Sequence, residues 1–220
     1  MNPSSPAPSL PALPPILQID ALGFAYPGQP PIASNWTAAI GPGVTLLYGD
    51  TGSGKSALLR VVAGTLPATG RLTVAGAGLD TAPEAYRRQV FFVDPSTDAF
   101  DAMGVQECAS SLRRADVPFD AVRWQALVDG FSLGPHLAKK MFMLSTGSKR
   151  KVWLAAALAS SRPLTLLDEP TAGLDAGSMR CLWRTLAEVA QEGDRAVIVA
   201  SGERIGDVPL AGTITLPLGG

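Results

Sequence analysis

Short apolar runs alternate with amphipathic stretches along most of this chain, and each pattern predicts an element. Ile16 to Phe24 alternates apolar and polar residues and predicts a strand. Ile32 to Ile40 predicts a second strand. Gly41-Pro42-Gly43 is a tight turn into Val44 to Tyr48, which is apolar throughout and reads as a buried strand. Ala57 to Ala63 predicts a helix closed by Gly64, and Gly70 to Val74 a short strand followed by a turn at Gly76 and Gly78. Pro83 to Arg88 suggests one helical turn. The β-rich run Gln89 to Val93 stops at Asp94-Pro95.

Beyond Asp94 the pattern changes. Val105 to Arg114 and Phe119 to Val128 predict helices, and Lys149 to Ala159 a helix whose apolar face is Val152, Ala155, Ala156 and Ala159. Residues 96–160 therefore form an expected helical subdomain. Leu164 to Leu167 and Ala196 to Ala200 predict buried strands on either side of an amphipathic helix, Met179 to Gln191. Thr213 to Leu216 predicts an edge strand. Alternating strands and helices imply an α/β fold with a mostly parallel sheet covered on both faces, preceded by an antiparallel β part. Residues 1–15, rich in Pro, Ser and Ala, predict a disordered tail, and residues 16–220 one domain.

Composition adds little. Charged residues make up 17% of the 220, below the usual quarter, which fits a protein partner on the surface. A formal net charge of −1 argues against a broad nucleic-acid-binding face. Cys108 and Cys181 lack metal-ligand spacing and read as free thiols, and His136 as a surface or loop histidine. The longest apolar run, Val152 to Ala159, is far short of the ~18 residues a membrane span needs. No basic stretch precedes an apolar one at the start, so no secretory signal is expected. The expectation is a protein soluble on its own that can dock on a membrane protein.

Candidate chemistry begins at Gly49-Asp50-Thr51-Gly52-Ser53-Gly54-Lys55-Ser56, which fits G-x-x-x-x-G-K-[ST] between a predicted strand and a predicted helix. Glycines let backbone N–H groups turn inward around an anion, and the helix N-terminus from Ala57 onward adds partial positive charge. Lys55 supplies a full charge for β- and γ-phosphates, and the Ser56 hydroxyl is a hard oxygen ligand for Mg²⁺. Asp168-Glu169 ends a predicted strand. Asp168 can hold Mg²⁺ opposite Ser56, and Glu169 can polarise an attacking water. Alone, the pair could be an acidic turn. The phosphate loop makes the metal reading the better one. Leu144-Ser145-Thr146-Gly147-Ser148 can present a hydroxyl and N–H groups to an anion or simply cap a helix. The basic triplet Lys149-Arg150-Lys151 reads as a solvated helix turn.

Together these residues resemble the ATP-binding cassette (ABC) ATPases over about residues 16–205. Leu144 to Ser148 is similar to the L-S-G-G-Q signature, lying in the family's order between the phosphate loop and Asp168-Glu169. Ala172-Gly173-Leu174-Asp175 resembles the D-loop. Tyr26, on the turn after the first strand, is placed like the aromatic that stacks on adenine. The resemblance implies a P-loop ATPase core with ATP and Mg²⁺ held by Gly49 to Ala57, Asp168 and Glu169. It implies two domains facing head to tail, so that Ser145 and Gly147 of one close on the γ-phosphate of the other. The partners implied are a second ABC subunit, the same or different, and an integral-membrane permease gripped through the helical subdomain. The location implied is cytoplasmic, on the inner face of the membrane.

Two departures bear on rate. The family's glutamine after the strand ending at Val93 is replaced by Asp94-Pro95, although Asp94 can still ligate Mg²⁺. The family's histidine after the Ala196 to Ala200 strand falls at Gly202. Loss of one contact to transferring phosphate can cost about 10²–10³ in rate, so slow hydrolysis by Glu169 with Lys55 is expected. The competing reading is a soluble ABC protein that uses ATP as a conformational switch. A small-metabolite kinase fits less well, because no acceptor motif accompanies the phosphate loop.

Overall fold

A computed structural model describes residues 14–113 and 117–218. The expected tail lies almost wholly outside these residues, as does Arg114 at the end of a predicted helix. In chain order the elements are β1 (Leu17–Phe24), β2 (Ala33–Ile40), β3 (Gly43–Tyr48), α1 (Lys55–Val62), β4 (Thr69–Val74), β5 (Ala77–Gly78), α2 (Pro83–Gln89), β6 (Val90–Phe92), α3 (Val105–Arg113), α4 (Ala121–Gly130), α5 (Thr146–Ala159), β7 (Leu164–Asp168), α6 (Ala176–Glu192), β8 (Ala196–Ser201) and β9 (Leu210–Thr215). Strands β2-β1-β4-β5 form an antiparallel sheet. Strands β6-β7-β8-β3-β9 form a parallel one.

The parallel sheet is buried on both faces, which is why its central strands are apolar without alternation. Along β8, Val197 and Val199 join the cluster built with α3, α4, α5 and α6. Ala196, Ile198 and Ala200 join the cluster built with α1 and the antiparallel sheet. Helix α5 is buried from Val152 to Ala159. Its alanines let the backbone approach the sheet, while Leu154 and Leu158 each contribute about 1.5–3 kcal/mol by burial. Arg195, buried ahead of β8, donates to the carbonyls of Leu158 (3.1 Å) and Ser160 (2.5 Å), satisfying the C-terminal end of α5.

Helix starts differ from the apolar periodicity because side-chain caps set them. Ser145 Oγ accepts from Ser148 N (3.2 Å), so α5 begins at Thr146 rather than Lys149. Asp175 accepts from Ser178 N (2.9 Å), so α6 begins at Ala176 rather than Met179. Asp120 accepts from Arg123 N (2.8 Å), so α4 begins at Ala121, and Phe119 instead bridges Ser160. The edge strand β9 starts three residues before the predicted Thr213 and stops before Leu216, because its register against β3 runs from Leu210 to Thr215. Gly78, read as turn, pairs with Thr73 in β5.

Candidate functional site

The parallel register places Tyr48, at the end of β3, beside Ser201 of β8, and Asp168, at the end of β7, beside Ala200. The phosphate loop, the carboxylate pair and the turn carrying Gly202 therefore emerge together at the carboxyl ends of the strands, where ligands bind in open α/β sheets. Gly54 begins α1 in a left-handed conformation (φ +99°), and a Cβ there would lie 2.5 Å from Ile32 Cδ1. Only glycine meets both demands at once.

Lys55 is buried, and its Nζ donates to Gly49 O (2.7 Å) and Asp50 O (3.1 Å). The same Nζ lies 3.2 Å from Glu169 Oε1. Glu169 Oε1 also accepts from Gly202 N (3.1 Å). Glu169 itself has φ +43°, a left-handed conformation rare outside glycine, which costs on the order of 1–3 kcal/mol. Hydrogen bonds from Glu169 N to Ala200 O (2.9 Å) and from Ala172 N to Glu169 O (3.1 Å) fix it there. A Cβ at Gly202 would meet nothing nearer than 3.8 Å, with Glu169 Oε1 at 3.9 Å and Lys55 Nζ at 4.0 Å. Position 202, where the family's histidine is expected, thus faces Glu169 and Lys55 and leaves room for a Cβ.

Burial raises the pKa of Asp168 above the usual carboxylate value; Glu169 and Asp94 add to this, and the Ser56 hydroxyl and Arg60 oppose it. Asp168 Oδ1 and Ser53 Oγ are buried without a hydrogen-bond partner. An orphaned carboxylate oxygen beside a hydroxyl fits a hard divalent cation, so Ser56 and Asp168 suit Mg²⁺. Asp94 is differently placed. Its Oδ2 accepts from Arg60 Nε (2.6 Å) and its Oδ1 from Ser96 N (2.9 Å) and Ser96 Oγ (2.6 Å), so the oxygens expected for Mg²⁺ are already engaged. Burial pushes the Asp94 pKa up, but Arg60 and Ser96 outweigh it and leave it below its ordinary value.

Thr51, Gly52, Gly54, Lys55, Ser56, Glu169 and Gly202 line one cleft of about 1000 Å³. Arg204 lines it too, its guanidinium stacked 4.8 Å from the Tyr48 ring centre. Tyr26 is exposed and sits edge-on to Phe24 (5.2 Å) near Arg60, outside that cleft. Ser145 and Gly147 are at the start of α5. A Cβ on Gly147 would lie 2.3 Å from Gly173 O, so the signature-like turn and the D-loop-like turn of the same chain touch backbone to backbone.

The basic triplet is not a solvated turn. Lys149 pairs with Asp101, Arg150 donates to Ala172 O, and Lys151 pairs with Asp175 (2.5 Å). Burial lowers the Arg150 pKa against the attraction of Asp168 and Glu169. Arg60 and Arg204 are not among the predicted site residues, and Arg150 is predicted only as part of a solvated turn. Arg60 lies five residues beyond Lys55, about 140° around the helix, so helical spacing does not place it beside the site, and nothing local in the sequence pairs Arg150 with a segment beyond β7.

A phosphate loop, a buried lysine and a carboxylate pair at the carboxyl ends of a parallel sheet define a phosphate-loop nucleotide-binding domain. Residues 35–172 match the ABC transporter family. The nickel import ATP-binding protein NikO of Rhodobacter capsulatus is 34% identical over 174 residues, covering 73% of this chain and 68% of NikO. ATP-binding cassette sub-family A member 7 of Rattus norvegicus is 34% identical over 192 residues, 84% of this chain, but the chain spans only 9% of that protein's length. A solved ABC transporter ATP-binding protein from Pyrococcus furiosus superposes with a TM-score of 0.71 at 22% identity, covering 91% of this chain and 96% of that one, and so shares the fold. The chain belongs to the ABC transporter family and is an ABC ATPase nucleotide-binding subunit. ATP hydrolysis, generally with Mg²⁺, is the activity of that family. No helix among the described residues is long and apolar enough to cross a membrane.

Proposed function

We propose that this chain binds MgATP between two nucleotide-binding domains facing head to tail and hydrolyses it slowly to drive a separate membrane permease. The loop amides from Gly49 to Ala57 and the Lys55 ammonium take the phosphate charge. Ser56 and Asp168 hold Mg²⁺, which neutralises phosphate charge when bound. Glu169 orients and polarises the attacking water, and Ser145 and Gly147 of the facing domain close over the γ-phosphate. Tyr26 stacks on adenine. Asp94 serves as the partner of Arg60 instead of as a metal ligand.

The observation that carries this reading is Glu169 Oε1, held by Gly202 N and 3.2 Å from Lys55 Nζ. A carboxylate so close to the loop ammonium supports the reading of Glu169 as the base. The open space at Gly202 supports slow turnover, because no side chain there reaches the phosphate. A groove along the edge strand β6, lined by Phe92, Phe100, Met103 and Leu112 together with the polar Arg87 and Ser111, supports a permease contact on the helical side. Docking there would place the domain on the inner face of the membrane.

Steady-state phosphate release from purified protein tests the reading, with Glu169→Gln as control. The wild type is expected to release phosphate at least ~10-fold faster than the control. Equal rates would favour a chain that uses ATP only as a switch. Gly202→His, whose Cβ the local space admits, is expected to raise the rate by about 10-fold or more.

A further inference from the structure

We infer that Arg150 is a positioning residue for Glu169, reaching from α5 to lock the turn that holds this carboxylate in its left-handed conformation. The inference rests on the hydrolytic role of Glu169 proposed above. A left-handed glutamate persists only where its surroundings over-determine it. From the sheet side, Glu169 N bonds Ala200 O (2.9 Å) and Gly202 N bonds the carboxylate (3.1 Å). The other side of the turn is Ala172, whose N–H donates to Glu169 O (3.1 Å) and whose carbonyl accepts from Arg150 Nη1. Ala172 is therefore gripped at both ends, once by the residue being positioned and once by α5.

Three further observations support the lock. Arg150 lines a small cavity with Asp168 and Pro170, walled by Trp153 and Pro95, so the residue borders the start of the turn as well as Ala172. Contact between Gly147 and Gly173 leaves no slack between α5 and the same loop. The neighbours of Arg150 have other partners: Lys149 pairs with Asp101, and Lys151 pairs with Asp175 at the start of α6. The basic triplet thus divides its contacts, and only Arg150 meets the turn that begins at Glu169. A planar guanidinium suits this place because it can donate to a carbonyl while its face packs on apolar neighbours.

The test combines backbone hydrogen exchange with a double-mutant comparison on the whole chain. In Arg150→Ala, the Ala172 amide is expected to exchange about 10-fold faster or more, with no such change in Lys149→Ala. Phosphate release is expected to fall about 10- to 100-fold with the Kd for ATP within about twofold, since misplacement near 1 Å has that scale of effect. Arg150→Ala added to Glu169→Gln should slow residual turnover no further, and Arg150→Lys should recover part of the wild-type rate. Unchanged exchange at Ala172 would overturn the inference. So would an equal slowing of wild type and Glu169→Gln, which would mean that Arg150 acts by some route other than Glu169. If the wild type is no faster than Glu169→Gln, the hydrolytic reading fails by itself, and exchange at Ala172 alone decides whether Arg150 holds the turn. Should Arg150→Ala fail to fold, Arg150→Gln, which keeps an amide donor, takes its place in each comparison.

Discussion

Replacing Gly147 with alanine sets helix propensity against close packing. Gly147 lies in the first turn of α5, where alanine is favoured by at most about 1 kcal/mol. Against this, the new Cβ would sit 2.3 Å from Gly173 O and 3.2 Å from the Gly173 carbonyl carbon. Ordinary C···O contacts begin near 3.3 Å, so the two turns must separate by about 1 Å. The obstructing atom belongs to the backbone, and Gly173 is itself left-handed (φ +77°), so no side-chain rotation relieves the clash. Forced overpacking typically costs about 1–3 kcal/mol, and we expect it to win by about 1–2 kcal/mol. For a chain of this size that lowers the Tm by roughly 2–8 °C, measured by scanning calorimetry at pH 7. The separation also pulls Ala172 and Asp175 away from Arg150 and Lys151, so phosphate release should fall with the stability. A Gly147→Ala protein that melts at or above the wild-type temperature, with unchanged phosphate release, would refute this account of how the two turns pack.

Other outcomes follow from the same geometry. Glu169→Asn should lose hydrolysis while the Tm moves by no more than about 4 °C, because asparagine tolerates the left-handed conformation better but gives up the contacts to Gly202 N and Lys55; a fall well beyond that would show that there is little strain to relieve. The Asp94 carboxyl titrates below its ordinary value of 3.8, so its contribution to stability is complete above that pH and lost as pH falls through the lower folded value. Asp94→Asn should therefore be less stable than wild type at pH 6 by at most about 1 kcal/mol, a gap that closes as the pH falls through that lower value; denaturant melts at pH 6 and in strong acid check this. Cys108 is fully buried, and burial pushes its thiol up to about 11, so a disulfide reagent at pH 8 should label it only on unfolding. Rapid labelling of the native protein at Cys108 would contradict the packing of α3.

Local sequence determined the elements and the first half of the site. The continuous apolar runs of β3, β7 and β8 could only be strands covered on both faces, and the spacing from Gly49 to Ser56 could only wrap an anion if a strand led in and a helix led out. These features are encoded within a few residues, so they are legible without the fold. The capping residues Ser145 and Asp175 were also in view, yet apolar periodicity placed both helix starts three residues late, because a first turn made of polar residues carries no hydrophobic signal. Tertiary structure decided what depends on distance through space. It gave Asp94 Oδ2 to Arg60, set Glu169 between Lys55 and Gly202, and turned a basic triplet into three separate ties across the chain. Each of those contacts joins segments far apart in sequence, and a charged side chain looks the same in the sequence whether it meets water or a carbonyl beyond the next strand. Only the packing of α5 against the sheet fixes which it meets.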